Sequence, residues 1–231
     1  IIEPLPANNG LLPQRLEFLK FLREITAQYG ALLIFDEVMS GFRIGFGGMA
    51  AETNITPDLV TYGKVIGGGF PVGAYGGRAE LMDLVAPQGP VYQAGTLSGN
   101  PIAMTAGKAM LAKLLREKPF AALQQSTESL GKEMEEIGKS APFPITVQSH
   151  GSKFWMICGE IKTSDGIIRR IEDIPPEHKT HFAQIFHGLL DRGYYLAPSG
   201  FEVGFMATVH TAEVNAGLAQ AFADVLKALH A

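Results

Sequence analysis

Two residues that support amino-group chemistry, an aspartate and a lysine, follow two apolar runs early in this chain. Asp36 ends the apolar run 31–35, and Lys64 lies between the β-like stretch 59–63 and the glycines of 67–69. A carboxylate can keep a pyridine nitrogen protonated, and a lysine amine can form an imine with an aldehyde. Asp36 and Lys64 therefore predict a site for pyridoxal 5'-phosphate (PLP), with Lys64 as the catalytic, cofactor-anchoring residue.

The same two residues also have plainer interpretations. Lys64 could be a solvated charge in a glycine-rich surface loop, and Asp36 could cap a helix that begins at Glu37. Two features favour the cofactor site. The glycines around Lys64 would let a cofactor approach the backbone. Val38, two positions after Asp36, would share its face of a continued strand and present an apolar wall to a ring.

A second candidate contact for an anion lies in the loop 93–99. Gly95 and Thr96 precede Asn100-Pro101, a pair typical of a capped helix start. Backbone N–H groups and a hydroxyl suit a phosphate, so this loop is a candidate phosphate contact.

The six histidines of the chain do not show the spacing of a metal site. His178 and His181 are three residues apart on a predicted helix, but no third ligand is near them in the sequence. We therefore predict no metal.

The composition argues against several classes of protein. With 231 residues and a net charge of −4, the chain has no basic stripe for nucleic acid. It also has no apolar run of the roughly 18 residues needed to span a membrane. The single cysteine, Cys158, cannot form an internal disulfide, which favours a reducing, cytoplasmic compartment.

The apolar periodicity predicts an α/β chain, because a helix feeds a continuously apolar strand. We expect a first domain over residues 1–118 and a small α/β domain over residues 119–231. The predicted elements are a helix at 13–29, strands at 31–35 and 59–63, helices at 78–85, 100–116 and 121–139, strands at 145–147 and 154–157, and helices at 177–192 and 211–230.

Four segments of the chain carry a resemblance to a known family. Residues 33–43 and 63–74 resemble the class III aminotransferases, and residues 93–101 and 195–202 are similar to the glutamate-1-semialdehyde aminomutases within that family. The resemblance implies a fold-type I PLP-dependent transferase: a partial large domain with a mostly parallel sheet, followed by the smaller C-terminal α/β domain.

The resemblance also implies roles for individual residues. Lys64 would hold PLP and act as the general base, and Asp36 would pair with the pyridine nitrogen. Asn8 matches a family asparagine near the phenolic oxygen of the ring. Glu202 matches an acidic residue near the amino group of the substrate.

The same resemblance implies a partner and a reaction. Gly95 and Thr96 match a loop that reaches the cofactor phosphate of the neighbouring subunit, so we expect a homodimer with shared active sites. The implied reaction converts glutamate 1-semialdehyde, a small amino-aldehyde, into the tetrapyrrole precursor 5-aminolevulinate, with the cofactor passing through its pyridoxamine phosphate form.

The N-terminal half of the family, including its phosphate turn, is absent from these 231 residues. We therefore expect a C-terminal portion that is inactive by itself. Two alternatives remain open: a class III aminotransferase with another substrate, and a non-catalytic fragment that folds and dimerises without PLP.

Overall fold

The computed structural model of the chain describes residues 1–229 and divides them into two compact units. The first unit consists of Ile1–Leu5 and Gln14–Lys118, and the second consists of Pro6–Pro13 together with the chain from Pro119 onward. None of the helices in the described part of the chain is both long enough and apolar enough to cross a bilayer.

The first unit is built around a three-stranded sheet of mixed direction. Its elements are α1 (Leu16–Gln28), β1 (Ile34–Asp36), α2 (Gly48–Thr53), β2 (Leu59–Tyr62), a 3-10 turn (Lys64–Gly67), β3 (Ala74–Gly77), α3 (Ala79–Met82) and α4 (Pro101–Glu117). The strand order is β1-β2-β3, with β1 and β2 parallel and β3 antiparallel to β2. A parallel bridge from Ile2 to Phe35 extends the sheet beyond β1.

The first predicted strand is shorter than the apolar run that suggested it. The run 31–35 was predicted to form one strand, but Leu32 is 44% exposed and the strand begins only at Ile34. Midway along the run, the N–H of Leu33 donates to Asp58 Oδ2 (2.7 Å), so a side chain binds it instead of a neighbouring strand. Leu33 itself remains buried in a core with Phe35.

Asp58 is a buried carboxylate that two arginines neutralise. Its oxygens lie 3.0 Å from Arg23 Nη1 and 3.2 Å from Arg78 Nη1. Burial alone raises the pKa of Asp58, but the Leu33 N–H and the Arg23 guanidinium outweigh it and hold that pKa below its ordinary value. Asp58 thus joins α1, β2 and the start of α3 as a structural anchor.

The second unit places three helices around an antiparallel sheet. Its elements are α5 (Phe120–Gly138), β4 (Ile145–His150), β5 (Lys153–Cys158), a 3-10 turn (Ile171–Asp173), α6 (His178–Leu190), β6 (Gly204–Phe205) and α7 (Ala212–Ala228). β5 is central, pairs antiparallel with both β4 and β6, and is buried at all six positions. The predicted helix 211–230 ends at Ala228, and its last predicted residue lies outside the described residues.

The predicted first domain, 1–118, and the first compact unit differ at residues 6–13. This segment belongs to the second unit because its backbone is bound there. The N–H of Gly10 donates to the Phe201 carbonyl (2.6 Å), and the Trp155 ring covers Gly10. These contacts join residues far apart in sequence, so no local pattern could have indicated them.

Candidate functional site

Asp36 and Lys64 emerge at the same edge of the first unit's sheet. Parallel pairing sets Asp36 opposite Thr61, and the N–H of Glu37 donates to the Thr61 carbonyl (2.9 Å). Lys64 follows Thr61 by three residues. Parallel strands end at one edge, and α/β sheets bind ligands beyond the carboxyl ends of their strands. We call Asp36, Val38, Gly63 and Lys64 the lysine edge.

The carboxylate of Asp36 stabilises a turn and does not cap a helix. Its Oδ1 accepts the N–H of Val38 (3.0 Å), and the chain continues in turns until α2 begins at Gly48. The alternative interpretation of Asp36 as a helix cap is therefore wrong. Val38 does not extend β1 as expected, but it packs against Gly63, where an added Cβ would lie 3.3 Å from Val38 Cγ1.

Lys64 has an unusual backbone conformation and an exposed side chain. Its φ is 49°, in the left-handed region, and it begins the 3-10 turn Lys64–Gly67. This conformation costs a non-glycine residue about 1–2 kcal/mol. Such strain persists only where surrounding structure enforces it, and it is common at functional sites.

Small residues of α4 let that helix enforce the lysine turn. A Cβ at Gly107 would collide with the carbonyl oxygen of Ile66, and a Cβ at Gly68 would lie 2.7 Å from the Ala106 carbonyl oxygen. α4 therefore approaches another backbone closely at Ala106 and Gly107. The backbone approached is the turn that holds Lys64.

The lysine edge also fits a ring-shaped cofactor with a basic nitrogen and an aldehyde. Thr61, opposite Asp36 and on the same face, has a buried Oγ1 with no hydrogen-bond partner within the described chain. Gly69 and Gly73 have no heavy atom within 4 Å of the position a Cβ would take. An acid, an amine, an orphaned hydroxyl and open backbone are groups that suit the ring and aldehyde of PLP.

Gly95 and Thr96 lie in an exposed loop ahead of α4. The N–H of Ser98 donates to the Gly95 carbonyl (2.9 Å), and the side chain of Asn100 accepts the N–H groups of Ile102 (3.1 Å) and Ala103 (3.2 Å). The predicted capped start of α4 is therefore confirmed. Contact between this loop and a phosphate stays a prediction.

Asn8 and Glu202 both belong to the second unit, and both are exposed. Their segments are joined by the hydrogen bond from Gly10 N–H to the Phe201 carbonyl (2.6 Å). Glu202 also borders a small cavity of about 20 Å³ beside Phe154. The structure thus groups Asp36, Val38 and Lys64 in one unit, and Asn8 and Glu202 in the other.

Sequence reasoning missed the role of Glu37, the immediate neighbour of Asp36. Glu37 is fully buried; its Oε2 accepts the Ser40 hydroxyl (2.7 Å) and the Met49 N–H (3.0 Å), and its Oε1 accepts the Ala50 N–H (2.9 Å). A carboxylate at a helix N-terminus is stabilising. The sequence signal was Gly48: a Cβ there would collide with the Glu37 carboxylate, and its φ of 61° also favours glycine.

The environment of Glu37 extends to Tyr62 at the end of β2. Burial, and then the charge of Glu37, raise the pKa of the Tyr62 phenol. Glu37 and Asp36 therefore differ in role: the first holds the turn to α2, and the second remains half-buried at the sheet edge.

Sequence reasoning also missed a buried pair of side chains, Trp155 and His178. Both donate to the Gly200 carbonyl, each at 2.7 Å, while His178 Nδ1 accepts the N–H of Cys158 (3.1 Å). Burial lowers the pKa of His178, more than the hydrogen bond to Gly200 raises it. Within residues 1–229, no group of three or more side chains could hold a metal ion.

Comparison with known proteins finds similarity over nearly the whole chain. The sequence profile of a family described as "Aminotransferase class-III" matches residues 1–227. A glutamate-1-semialdehyde 2,1-aminomutase from Leptospira biflexa is 58% identical over 217 residues, which cover 92% of this chain and 49% of that protein. The chain thus spans about half the length of the curated relatives it matches.

Two solved structures share the fold. An omega-transaminase from Sphaerobacter thermophilus has a TM-score of 0.86 at 34% identity, over 100% of this chain and 52% of that one. A structure described as a transaminase with PLP bound has a TM-score of 0.82 at 28% identity, over 99% of this chain and 51% of that one.

Proposed function

Because the chain belongs to the class III aminotransferase family, we propose that it is the C-terminal part of a PLP-dependent glutamate-1-semialdehyde 2,1-aminomutase. The observation that carries the cofactor assignment is the lysine edge, where Asp36 and Lys64 leave parallel strands together. The 58% identity to the L. biflexa aminomutase supports the substrate assignment. The reaction would turn glutamate 1-semialdehyde into 5-aminolevulinate.

Lys64 and Asp36 would hold the cofactor from two sides. The Lys64 amine would bind its aldehyde carbon covalently, and the Asp36 carboxylate would pair with the protonated pyridine nitrogen. Val38, packed on Gly63, would present its methyl groups to the ring face. When bound, PLP supplies an electron-withdrawing ring that stabilises negative charge on the neighbouring carbon.

Lys64 would also move the proton that the reaction requires. Its exposed amine lies on a turn that α4 holds in place, so Nζ would move a proton between the substrate carbon that bears nitrogen and the cofactor carbon that receives or gives up the amino group. Amino transfer within one molecule needs this proton movement twice, at adjacent carbons. A single well-held base therefore suffices for both halves.

The remaining predicted residues would complete the site. Asn8 would contact the phenolic oxygen of the cofactor, and Glu202 would contact the amino group of the substrate. The exposed loop with Gly95 and Thr96 would reach the cofactor phosphate of a partner subunit, which makes the enzyme a homodimer. We further propose that the enzyme is cytoplasmic and that these 231 residues alone are inactive.

A second candidate function is amino transfer between two molecules. The similarity to the omega-transaminase structure, at 34% identity, favours this alternative. The two functions differ in what they consume, because a transaminase stalls unless a second carbonyl compound accepts the amino group. An aminomutase needs no second substrate.

The test is turnover by the purified full-length protein that contains this chain, supplied with PLP. We expect 5-aminolevulinate from glutamate 1-semialdehyde with no added amino donor or keto acid. Product that forms only when a keto acid or amine donor is added would establish the transaminase instead. Absence of a cofactor absorption band in the full-length protein would favour the non-catalytic alternative.

The isolated chain of 231 residues serves as the comparison. We expect it to make no 5-aminolevulinate, because it spans only about half the length of its curated relatives. Measurable product from the isolated chain would contradict this part of the proposal.

A further inference from the structure

We propose that Trp155 and His178 are positioning residues that fix the two segments carrying Asn8 and Glu202. They do so by donating two buried N–H hydrogen bonds to the Gly200 carbonyl. We call Trp155, His178 and Gly200 the carbonyl clamp. The inference rests on the proposed function, in which Asn8 and Glu202 contact cofactor and substrate. The inference adds Trp155 and His178, whose side chains would contact neither the cofactor nor the substrate.

The clamp begins with a single carbonyl that receives two hydrogen bonds. The nitrogens Trp155 Nε1 and His178 Nε2 each lie 2.7 Å from the Gly200 oxygen. Trp155 is 1% exposed and His178 is fully buried, so both bonds are shielded from water. Two donors on one carbonyl occupy both of its lone pairs and fix its direction.

A third hydrogen bond fixes the orientation of the histidine ring. The N–H of Cys158, on β5, donates to His178 Nδ1 (3.1 Å). Nδ1 is therefore the acceptor, and the proton lies on Nε2, where it faces Gly200. Trp155 belongs to the same strand and meets His178 edge-on, with the rings at 80° and 5.7 Å apart. The clamp is thus anchored on β5 and on the first residue of α6.

Two glycines show that the segments carrying Asn8 and Glu202 pack closely against Trp155 and His178. A Cβ at Gly200 would lie 2.8 Å from His178 Nε2, and a Cβ at Gly10 would lie 2.8 Å from the Trp155 ring. Gly10 also has a φ of +86°, which side chains rarely adopt. The segment with Gly10 therefore packs on Trp155, and the segment with Gly200 packs on His178. Neither segment tolerates a side chain at its glycine.

The clamp reaches Glu202 and Asn8 through short stretches of ordered backbone. The N–H of Glu202 donates to the Ser199 carbonyl (3.1 Å), one residue before the gripped Gly200. The N–H of Gly10, two residues after Asn8, donates to the Phe201 carbonyl (2.6 Å). Movement of the Gly200 carbonyl would therefore change the positions of both exposed side chains together.

The test compares His178→Leu with His178→Gln in the full-length protein loaded with PLP. Leucine cannot donate to Gly200 or accept from Cys158, whereas the glutamine amide can restore the donor. His187→Leu is the matched control, since His187 is an exposed histidine on the same helix. Trp155→Phe is a second variant, which keeps an aromatic ring but removes the indole N–H.

The first readout is hydrogen exchange followed by mass spectrometry, which requires no substrate. We expect His178→Leu to speed exchange in peptides covering 7–12 and 199–203 together, with the lysine-edge peptides unchanged. Trp155→Phe should do the same to a smaller extent, and His187→Leu should have no effect. Unchanged exchange in either of the two segments would overturn the proposal, and so would an increase that is no larger in these segments than in the rest of the second unit.

The second readout separates substrate binding from turnover. In His178→Leu we expect KM to rise about tenfold, the equivalent of one net hydrogen bond, with kcat changed much less and the cofactor band intact. His178→Gln should recover most of the KM. A fall in kcat at constant KM, or no recovery with glutamine, would overturn the positioning role.

Failure of the proposed function would be visible separately. If the wild-type protein acts on another amino substrate, KM is measured for that substrate. If the wild-type protein has no turnover, hydrogen exchange alone decides whether the clamp couples the two segments.

Discussion

The lysine edge and the carbonyl clamp both hold polar groups in place, but they do so in opposite ways. At the lysine edge the reactive side chains are exposed or half-buried, and the backbone positions them through parallel register, a left-handed φ and the close approach of α4. In the clamp the side chains are buried, and they position exposed neighbours by gripping a carbonyl.

This difference has a consequence for mutation. Truncating an exposed side chain at the lysine edge removes chemistry but leaves the backbone contacts that hold the edge. Truncating a buried donor in the clamp leaves a polar group unsatisfied, which costs stability as well as geometry. Activity and stability should therefore separate in the first unit and remain coupled in the second.

The largest effect is expected for Lys64→Ala. Loss of the amine removes both the covalent attachment and the base, so kcat in the full-length enzyme should fall by about 10³-fold or more. The visible band of the lysine-bound cofactor should disappear, and the melting temperature should hardly change. Lys118→Ala is the matched control, because Lys118 is also exposed and left-handed (φ 45°). A Lys64→Ala enzyme that retains the band would refute the assignment.

A smaller loss of activity is expected for Asp36→Asn. The amide oxygen can still accept the Val38 N–H, so the turn should persist, but the charge that pairs with the pyridine nitrogen is gone. We expect kcat to fall by about 10²-fold with stability within roughly 0.5 kcal/mol of wild type. Steady-state kinetics and urea denaturation measure the two quantities. A large loss of stability would mean that Asp36 acts mainly in folding.

The neighbouring residue should behave in the opposite way. Glu37→Gln places an amide NH2 against N–H groups that now donate to a carboxylate, and the unfolding free energy should fall by about 2–3 kcal/mol. Urea denaturation measures this loss. Glu24→Gln, at an exposed position on α1, is the control and should be neutral. Equal stability of the two variants would show that the buried carboxylate contributes little.

The smallest effect is the pH dependence that His178 gives to the second unit. Burial holds its folded-state pKa below the ordinary value of 6.5, so the unfolded chain binds the proton more readily. The stabilisation is complete above that ordinary value and is lost as pH falls through the folded-state pKa. Cys158 N–H faces Nδ1, Gly200 O faces Nε2, and His181 is the nearby titrating group.

Chemical denaturation from neutral pH down to about pH 5 measures this loss. In His178→Gln the slope of unfolding free energy against pH should be smaller than in wild type, whereas His181→Gln should leave most of the slope. An unchanged slope in His178→Gln would exclude His178 as its source.

The sequence predicted the strands that precede Asp36 and Lys64 and most elements of the second unit. The chemistry at Asp36 and Lys64 follows from residue types beside apolar runs, and the capped start of α4 follows from Asn100-Pro101. The apolar run 31–35 predicted too long a strand, because the Asp58 side chain binds the N–H of Leu33 and β1 begins only at Ile34. Residues 6–13, predicted within the first domain, group with the second unit through long-range contacts that a local pattern does not reveal.

By itself, the sequence determined the family resemblance, the candidate site residue types and most of the helices, because these depend on local identity, spacing and periodicity. Only the tertiary structure decided that Glu37 is buried while Asp36 is not, and that Trp155 and His178 meet at one carbonyl. Hydrogen bonds between residues distant in sequence leave no periodic trace. Their partners become visible only when the chain has folded.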